Sequence, residues 1–556
     1  MTRTFGTPGQ DLVFVPLGGA GEIGMNLYLY GHRGRWLMVD LGIGFGDDSM
    51  PAIDVVLPDI RFIEERRKEL AGLVVTHAHE DHLGAIPYLW SRLRCPIYAT
   101  PFAAALLETK LKEADPPVRA PITVVPLGGR FDVGPFNVEL VSLTHSIPEP
   151  NALAIRTGAG LVVHTGDWKF DPHPLVGGDA DMAALERLGA EGVEALVGDS
   201  TNVFVTGEPG SETGVRESLT HLLGQYGDGA IAVTCFASNV ARLESIAHAA
   251  AANGRRVALV GRSLWRIVEA ARRTGYLGEA GSFHTDDEVM KVPRDRLVYI
   301  CTGSQGEPRS ALARIAGGSH PCVTLGRGDT VLFSSRMIPG NEREIFRMQN
   351  QLVRSGVRLV TDREQFIHVS GHPGRDEVER MYRLVRPRAV IPIHGEVRHL
   401  TEHARLARGW GVDTALVVED GTVARLAGGP VEVVGEVPHG KLVVDGSRIM
   451  PFESEVLRSR KRMMFNGAVV VTVVVDLGGT LVREPQITAP GIIDPAADED
   501  DHAALAKVVR TAVAGLAPSL KRDDAAVREA VRLAVRRRFK ESHGKKPVTD
   551  IHLVRI

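Results

Sequence analysis

The chain has 556 residues, of which 44% are hydrophobic and 24% charged, and its formal net charge is −3. No apolar run is long enough to cross a bilayer, and the N-terminal MTRTFGTPGQ lacks the apolar core of a signal peptide, so we expect a soluble cytoplasmic protein with no membrane partner. The charge gives no whole-protein indication of nucleic-acid binding, and any such surface must come from local clusters of basic groups.

Several glycines lie between the first two predicted strands. Gly19, Gly21 and Gly24 fit the GxGxxG pattern of dinucleotide-binding folds. The residues after Gly24, MNLYLY, alternate in polarity as a strand does and not as a helix does. Without a helix N-terminus the phosphate site of a dinucleotide fold is missing, so this segment is predicted to be the turn of a β-hairpin.

The most informative string, HxHxDH, lies at residues 77–82. It follows an apolar run and precedes LGAI, which predicts a buried strand, a tight loop and the start of a helix. Four nitrogen or oxygen ligands then converge on a small volume, which suits one or two Zn²⁺ ions. These ligands are His77, His79, Asp81 and His82. The alternative, a solvated loop that is merely rich in histidine, does not account for the strand–loop–helix context.

Three more ligand-type residues end predicted strands. His145 follows an alternating strand, and Asp40 and Asp167 each follow an apolar one. Any one of them alone would be interpreted as a turn former or a cap. Two metal sites need ligands beyond a single loop, and the order of these residues around HxHxDH makes them candidates.

The second half of the chain carries three further strings, DSTN at residues 199–202, HVSGH at 368–372 and IPIHGE at 391–396. Between the first two, apolar strands alternate with helical runs, which predicts a parallel sheet flanked by helices. The strands are predicted near 230–234, 256–260, 297–302 and 330–334, and the helices near 242–252, 264–274 and 341–355, with another near 376–385.

The C-terminal segment is predicted to be a small α/β module that follows the basic residues 458–462. Its strands are expected at 468–476 and 548–556 and its helices near 498–514 and 523–542. The run VVVTVVV at 469–475 is apolar on both faces, and so small a module is expected to leave apolar surface exposed. We therefore predict a homodimer through this module, with a homotetramer as its extension.

In this order the strings resemble the metallo-β-lactamase superfamily, and within it the β-CASP nucleases, whose motifs A, B and C match DSTN, HVSGH and IPIHGE. Within that branch the chain is most similar to the ribonuclease J family, which it also resembles in the strings GGAGEIGMN, FASN and TGSQGE. Pro373 departs from the family, which more often has a small residue there, and it removes a backbone N–H donor.

The resemblance implies a fold of class α/β with three parts. A metallo-β-lactamase αββα sandwich core, at residues 1–204 and 366–455, is interrupted by an α/β β-CASP domain at 205–365. A linker and a small α/β C-terminal domain follow at 456–556.

The resemblance also implies a site with two Zn²⁺ per chain, or Mn²⁺ or Mg²⁺ in the working enzyme. One ion would be held by His77, His79, His145 and Asp167, and the other by Asp81, His82, Asp167 and His394. Asp40 would orient the ligand loop. Asp199 would hold His372 as the general acid, and Asp81 could also orient the nucleophile. The residues expected to bind substrate and its 5′-phosphate are Ser238, Asn239, Ser304, His368, Ser370, Gly371 and His372.

The implied function is that of a zinc-dependent ribonuclease in RNA maturation and decay, with other RNA-decay proteins as partners. It would combine 5′→3′ exonuclease activity, favouring 5′-monophosphorylated RNA, with endonuclease activity. The basic last helix, from Arg528 to Lys540, is interpreted as a solvated face, with contact to RNA phosphates as the alternative.

Two other classes of enzyme share parts of this pattern. A DNA-acting β-CASP nuclease would use the same core, but in that branch motif C is commonly Val, so His394 favours RNA. A small-ester or thioester hydrolase would share HxHxDH but would have no use for motifs A and B or for the insertion. A non-catalytic scaffold would not need every expected ligand position intact.

Overall fold

The computed structural model describes residues 5–47, 49–226, 228–494 and 499–556. The chain divides into two compact units, one of Met1–Gly44 and Leu57–Lys441 and one of Phe45–Val56 and Leu442–Ile556. Within the described residues, no helix combines the length and apolar character that a membrane span requires.

The first unit contains two sheets packed face to face. Inward-facing side chains of both sheets, among them Phe14, Val39, Phe136 and Ile155, form one buried apolar cluster, and its burial holds the sheets together. The first sheet has, in spatial order, the strands Glu432–Glu436, Thr422–Ala427, Leu12–Gly18, Leu27–His32, Arg35–Val39, Leu70–Val74, Ile97–Ala99 and Ile122–Val124. The second has Arg130–Val133, Phe136–Ser142, Asn151–Thr157, Gly160–His164, Val193–Asp199, Ala389–Ile393 and Thr414–Ala415.

Helices cover the outside of this sandwich. A second apolar cluster joins the outer face of the second sheet to the helices Met182–Glu191, Arg375–Val385 and Val397–Gly409. The helices that connect strands of the first sheet are Arg61–Glu64, Glu80–Leu83, Ile86–Leu93 and Pro101–Glu113. The arrangement is αββα, so the predicted fold class is confirmed.

The glycine-rich segment is a hairpin turn, as predicted. Leu12–Gly18 pairs antiparallel with Leu27–His32, and the short strand Ala20–Gly21 between them pairs in parallel with Gly395–Glu396. The backbone N–H of His394 donates to the carbonyl of Gly19 at 2.6 Å. The turn therefore lies directly against the residue that motif C contributes.

The insertion forms a six-stranded sheet in which every pair of neighbours is parallel. Its strands, in spatial order, are Phe283–His284, Arg256–Val260, Leu297–Cys301, Ile231–Thr234, Thr330–Phe333 and Arg358–Thr361. Its helices are Glu212–Gln225, Val240–Ala252, Arg262–Arg273, Ala311–Ala316 and Glu342–Arg354, with a 3₁₀ turn at Arg294–Arg296. The predicted alternation of strands and helices is present. The sequence prediction missed the helices Glu212–Gln225 and Ala311–Ala316 and both edge strands, Phe283–His284 and Arg358–Thr361. In the second of these strands only Val360 is buried.

The second unit contains a three-stranded sheet with Ala468–Val475 at its centre, between Gln486–Thr488 and Val548–Arg555. One face of the central strand, including Val469 and Val473, is buried against the helices Glu499–Ala514 and Asp524–His543, while the other face is half-buried. Asp498, predicted to start the first of these helices, lies outside the described residues. The unit also contains the short helix Pro518–Lys521.

The compact unit also includes residues ahead of the predicted module, because it begins at Leu442 and takes in Phe45–Val56. Residues 458–462, expected to lead into the module, belong to the helix Glu455–Asn466. Arg460 on that helix forms an ion pair with Asp445, which ties the helix to the hairpin of Lys441–Asp445 and Arg448–Pro451. The short strands Gly44–Phe45 and Val55–Pro58 lie at the two ends of the separate segment.

Candidate metal centre and nuclease site

The HxHxDH loop leaves the end of the strand Leu70–Val74, as its apolar run predicted. His79 is the N-cap of the helix Glu80–Leu83, and its extended backbone places His77 and His79 ahead of the helix. Asp81 and His82 follow in the first helical turn. The end of the strand and the start of the helix therefore place four ligand-type side chains around one small volume.

The first cluster joins this loop to two distant strand ends. One possible ligand atom from each of His77, His79, His145 and Asp167 lies within 4.8 Å of all the others. The Nδ1 atom of His79 lies 3.0 Å from His77 Nε2 and 3.1 Å from His145 Nε2. This is the ligand set expected for the first ion.

Neighbouring protein groups orient two of these imidazoles. The Thr76 hydroxyl donates to Asp40 at 2.7 Å, so it accepts from His77 Nδ1 at 3.0 Å. The Gly371 carbonyl can only accept, so His145 Nδ1 carries the proton that it receives. Both Nε2 lone pairs therefore face His79.

This arrangement fits a divalent cation. Burial lowers the pKa of His77 and His145 well below the usual value for histidine and lowers the pKa of His79 to about 4, so these imidazoles are neutral near pH 7. A single N–H on His79 could satisfy only one of the two lone pairs that face it. A cation among the three nitrogens satisfies them all.

The second cluster contains Asp81, His82, Asp167 and His394, with one ligand atom of each within 4.8 Å of the others. The Oδ2 atom of Asp167 lies 3.1 Å from His82 Nε2 and 3.4 Å from His394 Nε2. The same oxygen lies 3.7 Å from His77 Nε2 in the first cluster. Burial alone would raise the pKa of Asp167, but His394 and His82 hold its pKa well below the usual value. Asp167 is thus an anion shared between the two clusters.

Asp40 occupies the orienting position that was predicted for it. It is fully buried at the end of the strand Arg35–Val39 and accepts from His82 Nδ1 at 2.7 Å. It also accepts from the backbone N–H of Thr76 at 2.8 Å. With Nδ1 engaged, the Nε2 atom of His82 faces Asp167 and Asp81. Burial alone would lower the pKa of His82, but these carboxylates and Asp40 hold its pKa well above the usual value, so Nε2 carries a proton until a cation takes its place.

Asn26 is an orienting residue that the sequence analysis did not assign. Its Oδ1 lies 2.9 Å from His394 Nδ1, and its Nδ2 donates to the Asp81 carbonyl at 3.0 Å. The hydroxyl of Tyr28 fixes the amide by donating to Oδ1 at 2.7 Å. The family string GGAGEIGMN, which ends at Asn26, was the signal that could have identified it.

Motifs A and B form a hydrogen-bonded pair beside the clusters. His372 Nδ1 lies 2.7 Å from Asp199 Oδ2 and 3.9 Å from Asp167 Oδ2. Burial lowers the pKa of His372, but the charge and hydrogen bond of Asp199 outweigh this and raise the pKa to about 9. His372 therefore holds a proton near neutral pH at the edge of the metal clusters.

Asn202 of motif A clamps the motif B loop. Its Nδ2 donates to Ser370 Oγ at 2.8 Å and to the His372 carbonyl at 3.0 Å. A Cβ atom at Gly371 would lie 2.6 Å from two atoms of the His145 ring, so only glycine allows this approach. Motif B thus touches the metal cluster directly, through Gly371.

The remaining predicted substrate residues have different surroundings. Asn239 caps the helix Val240–Ala252 by accepting from the Arg242 N–H, and it also donates to Glu212. Ser304 is buried and Ser238 half-buried. The Nδ1 atom of His368 is buried without a hydrogen-bond partner among the described residues. The assignment of these four residues to substrate binding stays a prediction.

Family models match most of the chain. The model described as "Metallo-beta-lactamase superfamily" matches residues 21–224. The model described as "Ribonuclease J, beta-CASP domain" matches residues 228–352, and the one described as "Zn-dependent metallo-hydrolase RNA specificity domain" matches residues 356–417. Ribonuclease J C-terminal domain matches residues 455–556.

Curated relatives extend over nearly the whole length. Ribonuclease J of Sinorhizobium meliloti is 44% identical over 98% of this chain and 98% of its own. Ribonuclease J of Mycobacterium tuberculosis H37Rv is 38% identical over 96% of this chain and 95% of its own. Ribonuclease J of Thermus thermophilus is 36% identical over 84% of this chain and 83% of its own.

A solved structure supports the fold alone. A protein of unknown function from Enterococcus faecalis V583 is 15% identical, covers 78% of this chain and 100% of its own, and has a TM-score of 0.50. The metallo-β-lactamase match and the ligand clusters identify a hydrolase that uses divalent metal ions. With the four family models and the full-length relatives, they establish that the chain belongs to the ribonuclease J family.

Proposed function

We propose that this protein hydrolyses RNA with two Zn²⁺ ions per chain, acting as a 5′→3′ exonuclease that favours 5′-monophosphorylated ends and as an endonuclease. The observation that carries the proposal is the pair of four-ligand clusters that share Asp167 beside a protonated His372. The names of the relatives, Ribonuclease J, support RNA as the substrate.

The two ions have separate ligand sets in this proposal. His77, His79 and His145 would hold the first, Asp81, His82 and His394 would hold the second, and Asp167 belongs to both sets. Such a pair of ions supplies a water nucleophile near neutral pH and offsets the charge that develops on the phosphate. Asp81, the most exposed of these carboxylates, is placed to orient that water.

His372 acts as the general acid. Attack of water on phosphorus breaks the bond to the 3′-oxygen, which needs a proton as it leaves. His372 Nε2 donates that proton, while Asp199 holds Nδ1 and stabilises the charged ring before the transfer. The products are a 3′-hydroxyl and a 5′-phosphate, because no ribose hydroxyl acts as the nucleophile.

The 5′ end is held by motif B with help from the insertion. Ser370 offers a hydroxyl, Gly371 a backbone N–H and His368 an imidazole nitrogen that no described protein group uses. Ser238, Asn239 and Ser304 complete the set in this proposal. A few neutral donors suit a monophosphate, whereas a triphosphate brings bulk and charge that such a pocket excludes.

Three features favour RNA over the other substrates considered. His394 occupies motif C and belongs to the second cluster, and residues 356–417 match a model described as an RNA specificity domain. A small-ester hydrolase would not need Asn202 to clamp a motif B loop beside the ions. The DNA and ester alternatives are therefore disfavoured.

Product analysis on end-labelled RNA and DNA of one sequence tests the proposal. We expect 5′-mononucleotides from 5′-monophosphorylated RNA, much slower release from 5′-triphosphorylated RNA, and little cleavage of the DNA. Equal rates on both RNA ends would contradict the pocket but not the metal mechanism. Faster cleavage of DNA would contradict the assignment of the substrate.

We further propose that the chain forms a homodimer through its C-terminal module. The face of Ala468–Val475 that its helices leave half-buried carries Val470 and Val474, and side chains of this kind favour association. Truncation before Leu457 should yield monomers in light scattering. A truncated protein that keeps its full-length oligomeric mass would refute this interface.

A further inference from the structure

A buried ion pair lies behind motif B and includes none of the candidate metal ligands. Arg242 is completely buried on the helix Val240–Ala252, and its partner Glu212 is 3% exposed. The Nε and Nη2 atoms of Arg242 donate to the Glu212 carboxylate at 2.9 to 3.2 Å. The mechanism above uses neither residue.

The remaining nitrogen of the guanidinium, Nη1, donates hydrogen bonds to two backbone carbonyls. Nη1 donates to the Ser334 carbonyl at 2.7 Å, to the Ser334 hydroxyl at 2.6 Å and to the Ile367 carbonyl at 3.0 Å. The Ser334 hydroxyl donates to the same Ile367 carbonyl at 2.6 Å. That carbonyl belongs to the peptide bond that leads into His368, the first residue of motif B.

Glu212 extends the network toward the metal centre. Its backbone N–H donates to Asp171 Oδ2 at 3.1 Å, and Asp171 pairs with Lys169 at 3.0 Å. Lys169 lies two residues after the shared ligand Asp167. One chain of contacts therefore links the start of motif B to the segment that follows a metal ligand.

Stability alone is a weak reason to keep such a pair. Removing two charges from water is costly, and apolar side chains of similar volume often fill a core equally well. A guanidinium with fixed donors is, however, suited to holding two carbonyls at a set separation. Asn202 and His145 already fix the far end of motif B, at Ser370, Gly371 and His372. At the near end, Arg242 and Ser334 hold the Ile367 carbonyl that precedes His368.

We propose that Arg242, held by Glu212 and assisted by Ser334, is a positioning residue that fixes His368 and the start of motif B for binding of the RNA 5′ end. This inference rests on the proposed function, because it assigns the network to the 5′-end pocket. The side chain of Arg242 donates to Glu212, Ser334 and Ile367, none of which is a candidate metal ligand. Its loss should disturb 5′-end recognition and leave the metals in place.

The test compares a linear 5′-monophosphorylated RNA with a circular RNA of the same sequence, which reports internal cleavage alone. Arg242→Lys keeps the positive charge but loses the planar set of N–H donors that holds Glu212 and the two carbonyls. We expect the kcat/KM of this variant on the linear RNA to fall on the order of 10- to 100-fold, as for a small misplacement of a binding group. Cleavage of the circle should change by less than about threefold, and metal content by elemental analysis should be unchanged.

Two further variants make the result decisive. Ser334→Ala removes one bond to the Ile367 carbonyl and one acceptor of Arg242 Nη1. It should lower the linear rate in the same direction by roughly three- to tenfold, so it decides the question if Arg242→Lys does not fold. Arg255→Lys is the matched control, because Arg255 is also a buried arginine that donates to backbone carbonyls in the insertion, at Gly229, Leu297 and Tyr226. It should lower the melting temperature without altering the linear-to-circular ratio.

Equal losses on the two RNAs, or the same selective loss in Arg255→Lys, would overturn the positioning role. An unchanged linear rate in both Arg242→Lys and Ser334→Ala would overturn it as well. Failure of the wild-type metal-loaded protein to cleave either RNA would instead refute the proposed function, and the positioning role with it. The two failures are therefore distinguishable.

Discussion

The metal-ligand loops and the motif B loop differ in how completely the protein satisfies their polar atoms. In the ligand loops, His77, His82 and His145 each have the nitrogen that does not face a cluster engaged by Thr76, Asp40 or Gly371. In motif B the backbone is clamped, yet His368 Nδ1 has no partner among the described residues. The comparison indicates a metal centre organised in advance, and in the proposed 5′-end pocket it leaves His368 Nδ1 open to substrate.

The largest expected effect comes from removing a ligand. His82→Ala should empty the second metal site and lower the single-turnover rate about 10³-fold or more, because several kcal/mol of transition-state stabilisation depends on both ions. Elemental analysis and single-turnover cleavage measure the two effects. His552→Ala, at a histidine 57% exposed in the C-terminal unit, is the control and should change neither. Near-normal cleavage by His82→Ala would show that the second site is dispensable.

The next effect concerns the acid. His372→Ala should keep both metals and lose roughly 10²- to 10⁴-fold in single-turnover rate, the usual contribution of a general acid. A near-normal rate with the metals bound would exclude His372 as the proton donor.

The pH dependence follows from the same residue. An acid must be protonated to act, and the pKa of His372 is raised to about 9, so the rate should stay level below that pH and fall as pH rises through it. Asp199→Asn removes the charge that raises this pKa and should move the fall to lower pH. A falling limb at the same pH in both proteins would mean that another group produces it.

Gly371→Ala tests the contact between motif B and the metal centre. The added Cβ collides with the His145 ring, so metal affinity should fall about 10- to 100-fold, as when a group that orients a ligand is lost. Metal titration measures this. Gly409→Ala is the control, since a Cβ there meets nothing within 4 Å. Unaltered metal affinity in Gly371→Ala would separate motif B from the metal centre.

The smallest effect is expected at the 5′ pocket. Ser370→Ala removes one hydroxyl and should reduce the preference for monophosphate over triphosphate ends roughly three- to tenfold, the equivalent of one hydrogen bond of about 1 kcal/mol. Internal cleavage should suffer less, and Ser542→Ala on the C-terminal helix serves as the control. An intact preference in Ser370→Ala would remove its hydroxyl from the pocket.

Local patterns were enough to predict much of this protein. The string HxHxDH indicates four ligand-type residues within six positions, and the alternation of apolar strands with helical runs predicts the parallel sheet of the insertion. The orienting contacts were not predictable in this way, because they join residues far apart in sequence. The Gly371 carbonyl meets His145 across 226 positions, and Asn26 meets His394 across 368.

The division at Leu442 was not predictable in this way either, because the second unit joins Phe45–Val56 to a segment that begins almost 400 residues later. The bonds from Arg242 to the Ser334 and Ile367 backbone carbonyls likewise leave no pattern in the sequence.

Titration of metal-free protein with Zn²⁺, followed by cleavage of 5′-monophosphorylated RNA, tests the central claim most directly. Two clusters that share Asp167 predict that cleavage appears as the second equivalent binds, with about two ions bound per chain at full activity. Full activity at one bound ion per chain, or no RNA cleavage with both sites filled, would contradict the account.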